Sequence, residues 1–211
     1  MRILGLTGGI AMGKSAAARA MRRLGLPVHD ADALVHGLYA RGGAAVPAVA
    51  AAFPQAVVDG AVDRAHLGAW VLGQPALLRK LEGIVHPLVR QATRRWLAVQ
   101  GRQRRRLVVL DIPLLYETGD NELCDAVMAV TAPAFLQRQR ALRRPGVTPD
   151  KLKAILVRQL DDRLRLRRAD YAVVAGLSKA VTLRHLKRIA RVERCRCGGL
   201  WSASFGSKIS R

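Results

Sequence analysis

Residues 5 to 16 read GLTGGIAMGKSA. They follow an apolar start at Met1 to Leu4 and precede a run to Leu24 in which alanines and leucine alternate with Arg19, Arg22 and Arg23. The order predicted is strand, glycine loop, helix. Gly8, Gly13, Lys14 and Ser15 stand at the spacing of a phosphate-binding loop. Glycines let the backbone wrap closely enough for successive N–H groups to point at phosphate oxygens, and the following helix adds the positive end of its dipole. In such a loop Lys14 neutralises the β and γ phosphates, and the Ser15 hydroxyl takes a position on Mg²⁺. The stretch therefore predicts a bound nucleoside triphosphate. Ala11 stands where many such loops carry glycine, and its Cβ crowds the phosphates if the position needs a positive φ. That predicts reduced, not abolished, activity.

Working outward, LPVHDAD, LVVLDIPLL, DAVMAVTAP and DYAVVAG are the other strand candidates. The second is a continuous apolar run ended by Asp111 and Pro113, as expected of a parallel strand buried on both faces. Helical patterns lie between them, at residues 32–39, 67–72, 76–84, 87–100, 134–142, 149–158 and 178–192. Strands alternating with helices predict an α/β fold of three layers, a central parallel sheet of about five strands covered on both faces. The last stretch, from residue 194, is rich in glycine and serine and reads as a mobile tail.

At 211 residues the chain holds one large α/β domain with room for a smaller insertion. Charge interrupts every apolar stretch before the roughly 20 residues a bilayer crossing requires. No secretory signal is visible at the N-terminus, so a cytoplasmic protein without a membrane partner is expected. Cys124, Cys195 and Cys197 are then free thiols, with no second pair or histidine to complete a metal site. The net charge of +21 calls for an anionic partner, which composition leaves open between nucleic acid, acidic lipid and a polyphosphate. With aromatics at 4%, a base-stacking platform has little to build with.

A GTPase needs an Asp-x-x-Gly switch and an Asn-Lys-x-Asp base reader, and neither string occurs. The leading class is a small-molecule kinase. Such an enzyme needs a carboxylate beside the acceptor hydroxyl, to orient it and take its proton. Asp30 and Asp32 stand at the carboxyl end of the second strand, where ligands of a doubly wound sheet gather. On residue type alone Asp32 is as readily a helix N-cap as a catalytic base.

The strings LTGGIxxGKS, LGxPVHDAD, LExIVHPLV, LDIPLLYE and RRPGVT together resemble the bacterial dephospho-CoA kinase family, from residue 1 to about 190. The resemblance implies transfer of the γ-phosphate of ATP to the ribose 3′-hydroxyl of dephospho-coenzyme A, with ATP and Mg²⁺ required. It places ATP on Gly9, Ala11, Met12, Gly13, Lys14, Ser15 and Ala16, and makes Asp32 the catalytic aspartate, with Lys14, Arg140 and Arg144 acting on the transferred group. Asp111 is implied as a Mg²⁺ position through water, beside Ser15. His86 and Pro87, with Glu117, fall to acceptor binding, although a histidine before proline also suits a helix start.

The implied layout is a nucleotide-binding core at residues 1–33, 105–132 and 169–193, a helical acceptor domain at 34–104, a lid at 133–168 and a basic tail at 194–211. Arg138, Arg143, Arg163, Arg165 and Arg167 of the lid are expected on solvated helix faces. Ala11 and Ala16 depart from the glycine and threonine usual in the family, and the cysteine-bearing tail has no counterpart. No specific nucleic acid is expected as a partner, and the oligomeric state is not fixed. Two rivals remain: another nucleoside or nucleotide kinase, and a basic nucleic-acid-binding protein with a vestigial loop.

Overall fold

The computed structural model describes residues 1–71, 73–176, 178–199 and 201. Two compact units emerge, Met1–His29 with Val99–Arg211, and Asp30–Ala98. In chain order, β1 (Arg2–Thr7) leads through the glycine loop to α1 (Lys14–Arg23), and β2 (Val28–Asp30) leads to α2 (Ala31–Tyr39). There follow α3 (Val46–Ala52), β3 (Val57–Val58), β4 (Ala61–Val62), α4 (Arg64–Val71) and α5 (Pro75–Arg102). The chain then returns through β5 (Leu107–Asp111), β6 (Ala126–Thr131), α6 (Ala134–Leu142), α7 (Pro149–Arg158), α8 (Asp162–Arg168), β7 (Tyr171–Val174) and α9 (Lys179–Cys195).

The central sheet has five parallel strands in the order β2-β5-β1-β6-β7. Leu6 of β1 stands opposite Asp111 of β5 and Met128 of β6, so the carboxyl ends of these strands finish together. All of β5 is buried, as its unbroken apolar run predicts. On one face Ala17, Ala18 and Met21 of α1 and Leu186, Ile189 and Ala190 of α9 share a core with Leu4, Val109 and Met128. Small side chains on α1 allow that close approach. The strand starts are fastened by carboxylates: Asp125 accepts from the Ile3 N–H at 2.6 Å, and Asp170 from the Val127 N–H at 2.8 Å.

The helical unit has its own core, with Phe53, Val49, Leu67 and Val85 among its buried residues. Its helix α5 runs unbroken through Pro87, where the sequence suggested two helices with His86 and Pro87 starting the second. Proline lacks the N–H that would bond the Gly83 carbonyl, a local cost of about 3 kcal/mol. Leu77, Leu78, Leu81, Ile84, Val85, Leu88 and Val89 pack into the same core on both sides of the proline, and that continuous apolar stripe outweighs the lost bond. β3 and β4 form a hairpin beyond the strands the sequence predicts, across Asp59 and Gly60, both at positive φ, the Asp-Gly turn that valines on either side call for.

The stretch expected to be a mobile tail begins as structure. Helix α9 reaches Cys195, and the Arg2 guanidinium donates to the Gly198 carbonyl at 2.9 Å and to the buried Glu193 carboxylate at 2.7 Å. Residues 200 and 202–211 of that stretch lie outside the described residues. Among the described residues no helix is long and apolar enough to cross a membrane, and no cluster of three metal-ligating side chains occurs. Cys124 is half-buried, and Cys195 and Cys197 are exposed thiols.

Burial, followed by the nearby Asp120 and Asp125 carboxylates, pushes the Cys124 thiol up to about 12. Burial likewise raises Tyr116 to about 12, reinforced by Asp170. Both groups hold protons in the folded state that the unfolded chain gives up near its ordinary values of 9 and 10. Their contribution to stability is therefore complete below pH 9 and is lost as pH rises through about 12. Urea denaturation at pH 8 to 11 should show stability falling above pH 9, and Cys124→Ala should flatten the first part of that fall. An equal slope in the variant would reject the assignment to Cys124.

Candidate active site

The glycine loop lies between the end of β1 and the first turn of α1. A Cβ on Gly8 would stand 2.7 Å from the Val130 carbonyl oxygen of β6, so no side chain fits there. Gly13 precedes α1 at φ 101, in the left-handed region, and a Cβ there would press on Ala175 at 3.0 Å. The loop is closed by the Met12 N–H bonding the Gly9 carbonyl at 3.2 Å and by the Ala16 and Ala17 N–H groups bonding Gly13. Lys14 and Ser15 open the first helical turn, and their own N–H groups have no carbonyl inside the helix to meet and so suit an anion.

Ala11 has φ 59, the conformation that glycine adopts without strain, and it is buried. Its Cβ does not stand alone. It packs with Ala141 and Leu152, flanked by Ile10, Leu142 and Val147, in a small apolar cluster linking the loop to α6 and α7.

The Lys14 ammonium lies 2.7 Å from the Asp111 carboxylate, with both side chains largely buried. Asp111 closes β5 beside β1, as the register requires. The pair fixes a cation and a carboxylate at the mouth of the loop. Ser15 is exposed next to them, and Ala16 leaves no further hydroxyl in that turn.

Residues of the segment from Pro133 to Arg168 crowd the loop. Gln137 of α6 donates to the Ile10 carbonyl at 3.1 Å, and the Gln159 side-chain oxygen accepts from the Ile10 N–H at 2.9 Å. Arg140 lies against the turn after β7, where a Cβ on Gly176 would meet its guanidinium at 2.6 Å. Arg144, at the end of α6 before the Pro145-Gly146 turn, is exposed.

The expectation for Arg165 is corrected. It is 2% exposed, its guanidinium bonding the Leu160 carbonyl at 2.7 Å and the Asp162 carboxylate at 3.1 Å, with Nε unpartnered. One of its terminal nitrogens sits 3.4 Å from where a Gly9 Cβ would be. Asp161 caps α8 by accepting from the Arg163 and Leu164 N–H groups, which fixes the helix so that Arg165 turns inward and Leu164 outward. That inverts the hydrophobic pattern, and the stretch DRLRLRR offers no sequence signal for it. Arg138, Arg143, Arg163 and Arg167 are exposed, as expected. Glu117, expected on the acceptor side, accepts from the Leu160 N–H at 2.8 Å and lies 3.6 Å from Arg165, so its carboxylate serves the segment before α8.

In the second unit, the N-cap of α2 is Asp30, whose carboxylate accepts from the Ala33 N–H at 3.1 Å. Asp32 is therefore not the cap. It stands exposed in the first helical turn. His86 is half-buried and Pro87 exposed in the middle of α5.

A strand-loop-helix phosphate cradle with a lysine and a strand-end aspartate defines a large group of kinases, and comparison with known proteins narrows it. The model of a protein family described as dephospho-CoA kinase matches residues 2–179. The chain belongs to the dephospho-CoA kinase family. It is 63% identical over 162 residues to a dephospho-CoA kinase of Paramagnetospirillum magneticum, covering 77% of this chain and 76% of the relative. It is 52% identical over 186 residues to one of Rhodospirillum rubrum, covering 88% of each. Among solved structures, TT1252 from Thermus thermophilus superposes with a TM-score of 0.80 at 32% identity, covering 91% of this chain and 97% of that one. A dephospho-CoA kinase from Campylobacter jejuni shares the fold, with a TM-score of 0.68 at 22% identity over 90% and 96% of the two chains. Family members are kinases, and the chain is an enzyme of that class.

The strain at Ala11 and the packing of its methyl group oppose one another. A left-handed φ costs a residue with a Cβ about 1–2 kcal/mol. Removing the methyl forfeits about 0.8 kcal/mol of burial and gives the unfolded chain about 0.4–1 kcal/mol of extra freedom. Ala11→Gly is thus expected to leave the unfolding free energy within about 1 kcal/mol of the parent in urea denaturation. A gain of more than about 1 kcal/mol would show that the methyl contributes less than its burial implies.

Proposed function

We propose that the chain transfers the γ-phosphate of ATP to the 3′-hydroxyl of the ribose of dephospho-coenzyme A. The observation that carries this reading is the phosphate loop, with Lys14 held by a buried strand-end carboxylate, in a chain of the dephospho-CoA kinase family. ATP lies with its phosphates along Gly9 and Ala11 to Ala16, met by the N–H groups at the start of α1. Lys14 carries the charge of the β and γ phosphates, leaving Asp111 to face the nucleotide.

The Ser15 hydroxyl and the Asp111 carboxylate are hard oxygen donors at one mouth, a set that suits Mg²⁺. When bound, Mg²⁺ neutralises charge on the β and γ phosphate oxygens. Asp32 orients the acceptor hydroxyl and takes its proton. The bond from the ribose oxygen to phosphorus forms as the bond from phosphorus to the β–γ bridging oxygen breaks, and ADP leaves with that electron pair. Arg140 and Arg144 of the lid spread over the charge of the transferred group, and the lid keeps water out. His86 and Pro87 are assigned to the acceptor, and Glu117 supports the segment before α8. We place the reaction in the cytoplasm, a setting that fits the family.

With Asp30 holding the helix cap, Asp32 can be changed without uncapping α2. Asp32→Asn is expected to lower kcat by about 10²–10⁴-fold while leaving ATP affinity within about twofold. The measurement is ADP release, coupled to NADH oxidation, with dephospho-CoA, nucleoside monophosphates and shikimate as acceptors. Dephospho-CoA should be the acceptor that drives turnover. Unchanged turnover in the variant would reject the base, and a preference for a nucleoside monophosphate would reject the substrate.

A further inference from the structure

The backbone of Ile10 is gripped on both of its polar atoms, its N–H and its carbonyl, by side chains from outside the loop. The Gln159 oxygen accepts its N–H at 2.9 Å, and the Gln137 amide donates to its carbonyl at 3.1 Å. The two glutamines come from opposite ends of the helical segment, Gln137 from α6 and Gln159 from the residue that ends α7. Both also stand near the neighbouring glycine, where a Gly9 Cβ would lie 3.3 Å from the Gln159 oxygen and 3.4 Å from the Gln137 nitrogen. One residue further on, the Ala11 methyl is seated against Ala141 of α6 and Leu152 of α7. Two different kinds of contact, polar on Ile10 and apolar on Ala11, thus tie the same loop to the same pair of helices.

The consequence follows from the backbone. A residue at φ 59 without glycine's freedom sits above its conformational minimum. It holds that shape only where surroundings over-determine it. Here the over-determination comes from α6 and α7. We infer that Gln137 and Gln159 are positioning residues for ATP, holding the Ile10 backbone so that the loop keeps the shape its phosphates require, and that they make nucleotide affinity depend on how the lid is seated. The inference rests on the proposed placement of ATP along this loop. It assigns the glutamines no contact with the nucleotide.

The test uses Gln137→Met, Gln159→Met and the double variant of the full chain, since methionine keeps the length of the side chain and removes its polar end. Each lost hydrogen bond is expected to weaken ADP binding and raise the KM for ATP by about fivefold, and the double variant by tenfold or more. The kcat at saturating ATP should stay within about threefold, and the KM for dephospho-CoA within about twofold. A merely structural role would lower the melting temperature or both affinities together, without this selectivity. ADP affinity and ATP KM within twofold of the parent in the folded single variants would overturn the inference, and the singles decide should the double fail to fold. ADP titration calorimetry reads the loop whatever the acceptor is. A selective loss of ADP affinity in a protein that ignores dephospho-CoA would sink the proposed substrate and leave the role of the glutamines standing.

Discussion

Everything at the nucleotide end follows from how closely β1 is held between β5 and β6. The Val130 carbonyl of β6 is so near the exit of β1 that even a methyl group on Gly8 would meet it at 2.7 Å. The chain must leave the sheet there without side chains and turn over at Gly13, with φ 101, before α1 can start. The turn leaves the first N–H groups of α1 exposed at the carboxyl edge of the sheet, and it sets Lys14 beside Asp111 at the end of the neighbouring strand. A tight backbone contact between strands thus produces a loop and helix start that suit an anion, with no residue added for that purpose.

A loop built this way has little of its own to keep its shape. In this chain the remaining support is external: polar on the Ile10 backbone and apolar around Ala11. Arg165 extends the same arrangement. Its buried guanidinium lies behind Gly9 while bonding the Leu160 carbonyl and Asp162, and the Glu117 carboxylate holds the Leu160 N–H from the side of the sheet. A buried arginine with an unsatisfied Nε is costly alone, which is why three oxygen atoms gather round the rest of its guanidinium. Glu117 is thereby engaged in supporting the segment that carries Gln159.

What could be read in the sequence divides along the same lines. The five strands were legible because each is a short apolar run ended by a turn or an acid, and the phosphate loop because its spacing has a backbone reason. Continuous α5 was not, since Pro87 is a local signal against helix and the stripe from Leu77 to Val89 that overrides it acts through tertiary burial. Arg165 was hidden for a comparable reason. In an alternation of arginine and leucine, hydrophobicity selects leucine for the interior, whereas the cap at Asp161 and the oxygen atoms around the guanidinium select arginine. The grip on Ile10 had no signature, because a glutamine bonding a backbone group looks like any other surface glutamine.

In the pair Asp30 and Asp32 the structure assigns the helix cap, which residue type leaves open. Either aspartate can cap a helix, and a cap carboxylate is occupied by backbone N–H groups, which draws its charge away from other work. In α2 that duty falls on Asp30, which accepts from the Ala33 N–H. Asp32 lies two residues on, inside the first turn and exposed, and no described hydrogen bond engages it. A carboxylate with unspent lone pairs is what a proton acceptor needs. Under the proposed reaction the doublet separates a structural acid from a chemical one, and substitutions at the two positions should then fail in different ways: Asp30→Ala by loosening α2, at a cost of about 1 kcal/mol, and Asp32→Ala by removing turnover from a protein that melts as before.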